Sequence, residues 1–168
     1  MTEIATTLKE YAKIVLFIAD LCNKEKLKNP KSYKNLHSWY LYRQAFYGFI
    51  EYIDSKDYLV SQRALEEYKK IDQFGDIKTR KWSEQPKFDK GRKIFHLEHI
   101  YTGDMFREAL DSLSENNRTA ENIARIIRDN YRIAWILKKE NKLLPRSSRG
   151  KTLEDAMKIY SEHEINLQ

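Results

Sequence analysis

Two of the four histidines in this chain lie close together, and a carboxylate stands between them. The segment at 92–101 reads Arg-Lys-Ile-Phe-His-Leu-Glu-His-Ile-Tyr and contains His96, Glu98 and His99. A neutral imidazole can accept a proton near neutral pH, and a carboxylate is a hard oxygen ligand that suits Mg²⁺. Together these groups can activate a water molecule beside a metal ion, which is the chemistry of phosphodiester hydrolysis. The segment is therefore the candidate site of the chain.

Two strand-like runs are expected to position these side chains. The run at 93–101 is rich in Ile, Phe and Tyr, and the run at 131–137 reads Tyr-Arg-Ile-Ala-Trp-Ile-Leu. Such runs favour strands. We predict that the two runs pair as a single two-stranded antiparallel ribbon, with a short helix at 138–144 packed across it. Helices at 104–113 and after Thr119 then form an insertion between the strands.

The N-terminal half is expected to be helical. Apolar residues recur at helical spacing at 4–22, and further helices are predicted at 33–53 and 59–71. The predicted helix at 33–53 is crowded with aromatic residues. We interpret it as a core helix in preference to a base-stacking surface. We predict an α-rich α+β fold with a helical subdomain at 1–75 and the candidate site in a region at 76–168, together forming one compact unit.

Basic residues concentrate in two segments near the candidate strand. The upstream basic cluster, at 78–93, has seven basic and two acidic residues, a net charge of +5. The downstream basic cluster, at 138–151, has six basic residues and one acidic residue, again a net charge of +5. Because the whole chain carries +6, the remainder is near −4. This placement favours a polyanionic partner such as nucleic acid, and the alternative is two solvated surfaces.

The sequence argues against several other classes of protein. Its one cysteine, Cys22, allows neither an intrachain disulfide nor a cysteine zinc site. The N-terminus lacks the basic-then-apolar pattern of a signal peptide. The longest apolar run, at 14–19, is too short to span a bilayer. We therefore expect a soluble, cytoplasmic protein with no membrane partner.

The order of these motifs resembles the HNH endonucleases, the ββα-metal superfamily. The matching segments are His-Leu-Glu-His-Ile at 96–100 and Asn-Tyr-Arg-Ile-Ala-Trp-Ile-Leu-Lys-Lys-Glu-Asn at 130–141, and the resemblance covers roughly 92–145. In that family an acidic residue and a histidine on the first strand are followed by an asparagine at the second strand. A final asparagine or histidine then lies on the helix. The overall size is similar to that of small restriction endonucleases of the superfamily.

The resemblance implies a ββα-metal motif with a helical insertion between its strands, in a metal-dependent DNA endonuclease of the type II restriction class. His99 would be the general base, and Glu98 and Asn141 would bind Mg²⁺ or Mn²⁺. Asn130 would steady the loop that orients His99. The partner would be double-stranded DNA, and an enzyme that cuts both strands of a symmetric site is expected to be a C2 homodimer.

A regular strand leaves a second assignment open. Strict alternation places Glu98 and His99 on opposite faces, whereas His96 and Glu98 share one face and would form the better metal pair. Glu140 is an alternative ligand on the helix. Candidate phosphate-binding residues are Arg92, Arg132, Arg146 and Arg149.

Two other functions remain open on the sequence alone. Arg92 and His99 are separated by six residues, as in the Arg-x4–6-His motif of the all-helical HEPN ribonucleases and toxins, which need no metal. If 92–101 were a helix, Arg92, His96 and His99 would lie on one face. The non-enzymatic alternative is a basic nucleic-acid-binding module in which the three polar residues are only the edge of a strand.

Overall fold

The chain forms an α-rich fold with one small mixed sheet. A computed structural model describes residues 6–32, 36–54, 57–145 and 150–168. The helices are α1 (Thr6–Lys28), α2 (His37–Gly48), α3 (Gln62–Lys69), α4 (Gln85–Phe88), α5 (Gly103–Ser112), α6 (Ala120–Asn130), α7 (Lys138–Asn141) and α8 (Leu153–Glu162). The strands are β1 (Leu59–Val60), β2 (Phe95–His99) and β3 (Ile133–Leu137). The α-rich α+β prediction is confirmed at this level.

The chain divides into two compact units, each built from two stretches of sequence. Met1–Tyr52 and Gly103–Asp129 form a helical unit, and Ile53–Thr102 and Asn130–Gln168 form a sheet unit. The insertion between the strands thus groups with the N-terminal helices, which the predicted boundary at residue 75 did not anticipate. In the described ranges, no helix has the length and apolar character that crossing a membrane requires.

The helical unit is organised by α1 and α2. The buried residues of α1 recur every three or four positions, which is the spacing of one helix face: Leu8, Ala12, Val15, Ala19 and Cys22. The Tyr11 hydroxyl donates a hydrogen bond of 2.6 Å to the Ala45 carbonyl on α2. Small residues along the face let the two helices pack closely.

Aromatic side chains of α2, and of Phe49 directly after it, fill the centre of the helical unit. Tyr42, Phe46 and Phe49 are fully buried. Phe106 of α5 packs among them, with ring centroids 5.4 Å from Phe46 and 5.7 Å from Phe49. A Cβ on Gly103 would lie 3.3 Å from the Phe46 ring, so a glycine suits this close approach. For these residues the prediction of a core helix is confirmed.

The sheet unit is built around β3, the central strand. The strand order is β1-β3-β2, with β2 antiparallel to β3 and β1 parallel to it. Every residue of β3 is buried, as expected for a central strand covered on both faces. The predicted antiparallel ribbon is confirmed, with bounds of Phe95–His99 and Ile133–Leu137.

A third strand corrects the predicted helix at 59–71. Leu59 and Val60 pair with Ala134 and Trp135, and the helix begins only after Ser61. The Ser61 hydroxyl accepts a hydrogen bond from the Ala64 N–H, which is an N-cap. The aliphatic residues before the cap complete the sheet, so the prediction of only two strands was also wrong.

The helix after β3 is shorter than predicted. It spans Lys138–Asn141 instead of 138–144, and it contacts both β2 and β3. Pro145 follows closely, and the residue before a proline disfavours helical geometry. The helix therefore positions one turn of side chains at the end of the ribbon.

A buried aspartate fixes the start of β2. The Asp89 carboxylate accepts hydrogen bonds from the backbone N–H groups of Lys93, Ile94 and Phe95, and from the Gln85 side chain. Burial raises the pKa of Asp89, but these hydrogen bonds outweigh it and the net pKa is lowered. The Asp89 carboxylate thus holds the backbone that leads into the candidate strand.

Candidate functional site

Strand β2 stays regular through the candidate residues, and this decides which side chains share a face. His96 pairs with Ile136, Glu98 with Ala134 and His99 with Ile133. Side chains of a strand alternate between its two faces. His96 and Glu98 therefore lie on one face, and His99 lies on the other.

His96 and Glu98 form a close pair. His96 Nε2 and Glu98 Oε2 are 2.7 Å apart. The Glu98 side chain is only 10% exposed, whereas the His96 side chain is 38% exposed. A largely buried carboxylate thus holds an accessible imidazole. This geometry suits either a metal pair or an imidazole oriented for proton transfer.

His99 is held by Tyr131, which lies just before β3. Its Nδ1 lies 3.0 Å from the Tyr131 hydroxyl, and the two rings meet edge to face with centroids 5.9 Å apart. Tyr131 is fully buried. Its fixed position restrains the imidazole, so the ring of His99 has a defined orientation.

The environment of His99 keeps its imidazole neutral. Burial lowers its pKa from 6.5 to about 4; the Glu98 charge opposes this shift, and His96 adds to it. At neutral pH the ring is therefore uncharged. An uncharged imidazole can accept a proton, although a pKa of about 4 makes it a weaker base than an ordinary histidine.

Asn130 and Arg132 lie at the His99 end of the ribbon. Asn130 is the last residue of α6, directly before Tyr131, and it is half-buried. The Arg132 carbonyl accepts a hydrogen bond from Ile100, and its guanidinium donates to the Tyr131 carbonyl at 2.9 Å. The backbone of Arg132 is therefore joined to the residue after His99, while the loop-steadying role of Asn130 stays a prediction.

Glu140 and Asn141 lie at the other end of the ribbon. Leu137 pairs with Phe95, so α7 starts beside the first residue of β2. The Glu140 carboxylate accepts a hydrogen bond of 2.8 Å from the Leu137 N–H. Leu137 is three residues from Ala134, the partner of Glu98, which is roughly 10 Å along a strand. The structure does not bring Glu140 to Glu98, and the metal role of Asn141 stays a prediction.

The His96–Glu98 pair can hold a divalent ion, but only as two of its ligands. Adjacent ligands of an octahedral Mg²⁺ lie about 3.0 Å apart, close to the observed separation of 2.7 Å. Within the described ranges, no group of three or more His, Cys, Asp and Glu side chains is placed to hold a metal ion. The remaining positions would fall to water and to substrate phosphate, as is common for Mg²⁺.

The other predicted arginines have different positions. The Arg92 guanidinium stacks over the Trp82 ring, 3.6 Å from its centroid, so it already makes a cation–π contact. Arg146 and Arg149 lie outside the described residues. Their predicted phosphate-binding roles, like that of Arg92, stay predictions.

Lysines from both basic clusters line one groove in the sheet unit. The Lys138 N–H donates a hydrogen bond of 2.8 Å to the Ile94 carbonyl, which joins the end of the upstream cluster to the start of the downstream one. The lysine groove, as we name it, has a volume of about 240 Å³ and is lined by Glu67, Lys93, Ile94, Leu137, Lys138 and Lys139. Its three lysines are exposed, and Glu67 is paired with Lys70 at 2.6 Å. The groove therefore has a positive charge.

The sequence alone identifies neither Tyr131 nor the lysine groove. It places Tyr131 only in the second strand, because nothing in the local sequence marks this residue as a partner of His99. The strand register alone supplies that information, since His99 pairs with Ile133 and so lies diagonally across from residue 131. The same register joins Lys138 to residue 94.

Strand β2 also argues against the HEPN alternative, which needs a helix at 92–101. Arg92, His96 and His99 would share a face only on a continuous helix, and Phe95–His99 is a strand. His96 and His99 instead lie on opposite faces.

No protein-family model, no curated protein and no solved structure matches this chain.

Proposed function

We propose that this chain is a divalent-metal-dependent DNA endonuclease of the restriction type, acting through β2. The observation that carries the proposal is the His96–Glu98 pair at 2.7 Å, together with a neutral His99 on the opposite face of the same strand. An accessible imidazole and a buried carboxylate can bind a metal ion, and a second, uncharged imidazole can accept a proton, which together would support hydrolysis of a phosphodiester.

The pair supplies the ligands for the ion. Asn141 lies at the Phe95 end of the ribbon and would be a further ligand only if α7 moved toward the pair. A bound Mg²⁺ or Mn²⁺ would polarise the phosphate and stabilise the departing oxygen. His96 Nε2 and Glu98 Oε2 lie 2.7 Å apart, so one ion could contact both atoms in place of the hydrogen bond between them. The pair thus determines where the substrate phosphate would lie.

His99 is assigned to proton transfer. Tyr131 engages Nδ1, so Nε2 is the nitrogen that we assign to the attacking water. The ring is neutral before substrate binds, and the negative charge of a bound phosphate would raise its pKa toward the working range. His99 is the last residue of β2 and lies on the face opposite the pair, so the proposal requires a substrate that reaches both faces of the strand.

Metal removal tests the proposal directly. Supercoiled plasmid incubated with the protein and Mg²⁺ or Mn²⁺ is expected to be nicked or linearised, and excess EDTA is expected to stop the reaction. Gel electrophoresis of the products gives the rate. Cleavage that continues in EDTA, or no cleavage with either metal ion, would contradict the proposal.

The lysine groove supports a polyanionic substrate. Changing both Lys93 and Lys138 to glutamine is expected to weaken binding of a 20-base-pair duplex in EDTA. It should also reduce the slope of log affinity against log salt by up to about 1.8, since each phosphate contact contributes roughly 0.9. The matched control changes Lys69 and Lys158, two exposed lysines outside both clusters, and removes the same charge. Equal slopes for the two double variants would contradict a specific role for the groove.

A non-catalytic nucleic-acid-binding module is the second candidate function. The lysine groove favours this function. So does a second observation: among the described residues, no third His, Cys, Asp or Glu lies beside the His96–Glu98 pair to hold a metal ion. This candidate predicts the salt dependence above without any cleavage. The plasmid assay therefore separates the two functions.

A further inference from the structure

A second polar cavity lies in the sheet unit and involves none of the three candidate residues of β2. Its volume is about 420 Å³. Its lining includes residues of α3, of α7 and of the segment after α8: Gln62, Arg63, Glu66, Glu140, Glu164 and Asn166. The volume falls in the range of about 300 to 1,000 Å³ that is usual for small-molecule sites.

Glu140 is the buried member of this cavity. The residue is 1% exposed. Its Oε2 accepts hydrogen bonds from the Ser61 hydroxyl at 2.6 Å and from the Leu137 N–H at 2.8 Å. Its Oε1 is also buried, and no donor among the described residues bonds to it. A buried carboxylate oxygen without a donor is unfavourable, so this atom calls for a ligand that brings an N–H or O–H group.

The charge of the cavity specifies the sign of that ligand. Its lining holds the carboxylates of Glu66, Glu140 and Glu164 against one guanidinium, that of Arg63, a net charge of −2. Arg63 Nη2 lies 3.7 Å from Glu164 Oε2, and the Gln62 amide donates to Glu66 at 2.7 Å. The rim carboxylates thus have partners, but their excess charge still attracts a cation.

We propose that this cavity binds a small alkyl diamine, with one ammonium group donating a hydrogen bond to Glu140 Oε1. An ammonium carries three N–H donors and a positive charge, and so satisfies both the unpaired oxygen and the field around it. A second ammonium neutralises the remaining excess charge. The site is separate from the proposed nuclease chemistry and does not depend on it.

A pair of matched compounds tests the need for N–H donors. Titration calorimetry and thermal unfolding of the full chain are measured with 1,4-diaminobutane and with its permethylated, bis-quaternary analogue, which has the same charge and chain but no N–H group. The diamine is expected to bind saturably and to raise the unfolding temperature. The quaternary analogue is expected to do neither.

Two substitutions test the residues. Glu140→Gln keeps an oxygen for Ser61 and Leu137 but places an amide NH₂ at the unpaired position. It is therefore expected to weaken diamine binding by about tenfold or more. Glu66→Gln lowers the charge at the rim without touching the bonds of Glu140, and is expected to weaken binding several-fold. Glu154→Gln, an exposed carboxylate on α8, is the matched control and should bind as the unmodified chain does.

Several outcomes would overturn the inference. Equal stabilisation by the diamine and its quaternary analogue would mean that only ionic strength matters. Saturable binding of Mg²⁺ that excludes the diamine would make the cavity a metal site. If Glu140→Gln does not fold, Glu66→Gln decides, and unchanged diamine affinity in that variant contradicts the proposal.

Discussion

His99→Ala is expected to reduce metal-dependent plasmid cleavage by roughly 10² to 10⁴, the usual contribution of a general base. A base acts in the transition state and contributes little to substrate affinity, so binding of the duplex in EDTA should change little. The fold should also survive, because the pairing of residue 99 with Ile133 is made by backbone groups. Cleavage rates, duplex affinity and the unfolding midpoint are the three measurements.

Glu98→Ala is expected to impair metal binding instead of proton transfer. It removes the carboxylate that holds His96 at 2.7 Å and that is proposed to bind the ion. The metal concentration at half-maximal cleavage should therefore rise, and high Mn²⁺ should restore part of the activity. Asn141→Ala should behave similarly if this residue is a ligand. His37→Ala, an exposed histidine of α2, is the matched control and should be neutral.

His96→Ala decides between the two faces of β2. If His99 is the base, loss of His96 should reduce cleavage less than loss of His99. Cleavage that is lost with His96→Ala and kept with His99→Ala would place the reaction on the face of the His96–Glu98 pair. In that case Glu98 would orient His96 as the base. Cleavage that survives both His99→Ala and EDTA would contradict the whole assignment.

The ribbon could be predicted because its signals are local. Ile, Phe and Tyr around His96 favour a strand whatever the rest of the chain does, and the buried run at 133–137 is apolar throughout. The alternation of side chains is equally local, so the sequence also predicted that His96 and Glu98 would share a face in a regular strand. The 2.7 Å contact between them agrees with that expectation.

The rest depends on pairings between distant residues. The sequence predicts a helix at Leu59 and Val60, because a two-residue strand has no periodicity. Only the pairing with Ala134 and Trp135 reveals the strand. Glu140 was considered a metal ligand from its place beside Asn141. Its carboxylate accepts hydrogen bonds from Ser61, directly after β1, and from Leu137, the last residue of β3. It thus connects these two strands. Neither fact can be read from neighbours in the sequence.

Acidification from pH 7 to pH 4.5 is expected to lower the unfolding free energy by about 2 to 3 kcal/mol through His99 alone. Burial lowers the pKa of His99 to about 4 in the folded chain, against 6.5 when it is unfolded. Between these values the unfolded chain binds the extra proton, so stability rises with pH. The contribution is fully present above pH 6.5 and is lost as the pH falls toward 4.

His99→Gln provides the comparison, because it keeps a polar side chain beside Tyr131 but cannot titrate. Urea unfolding at pH 7.0, 5.5 and 4.5 should show a steep loss of stability in the unmodified chain and a flatter one in the variant. Asp89 does not confuse the result, because its pKa is lowered below 3.8 and its contribution is lost only in more acidic solution. If the unfolding free energy depends on pH equally in the two proteins, burial does not keep His99 neutral. The imidazole would then be charged in mildly acidic solution, and its assignment as a neutral proton acceptor would lose its physical basis.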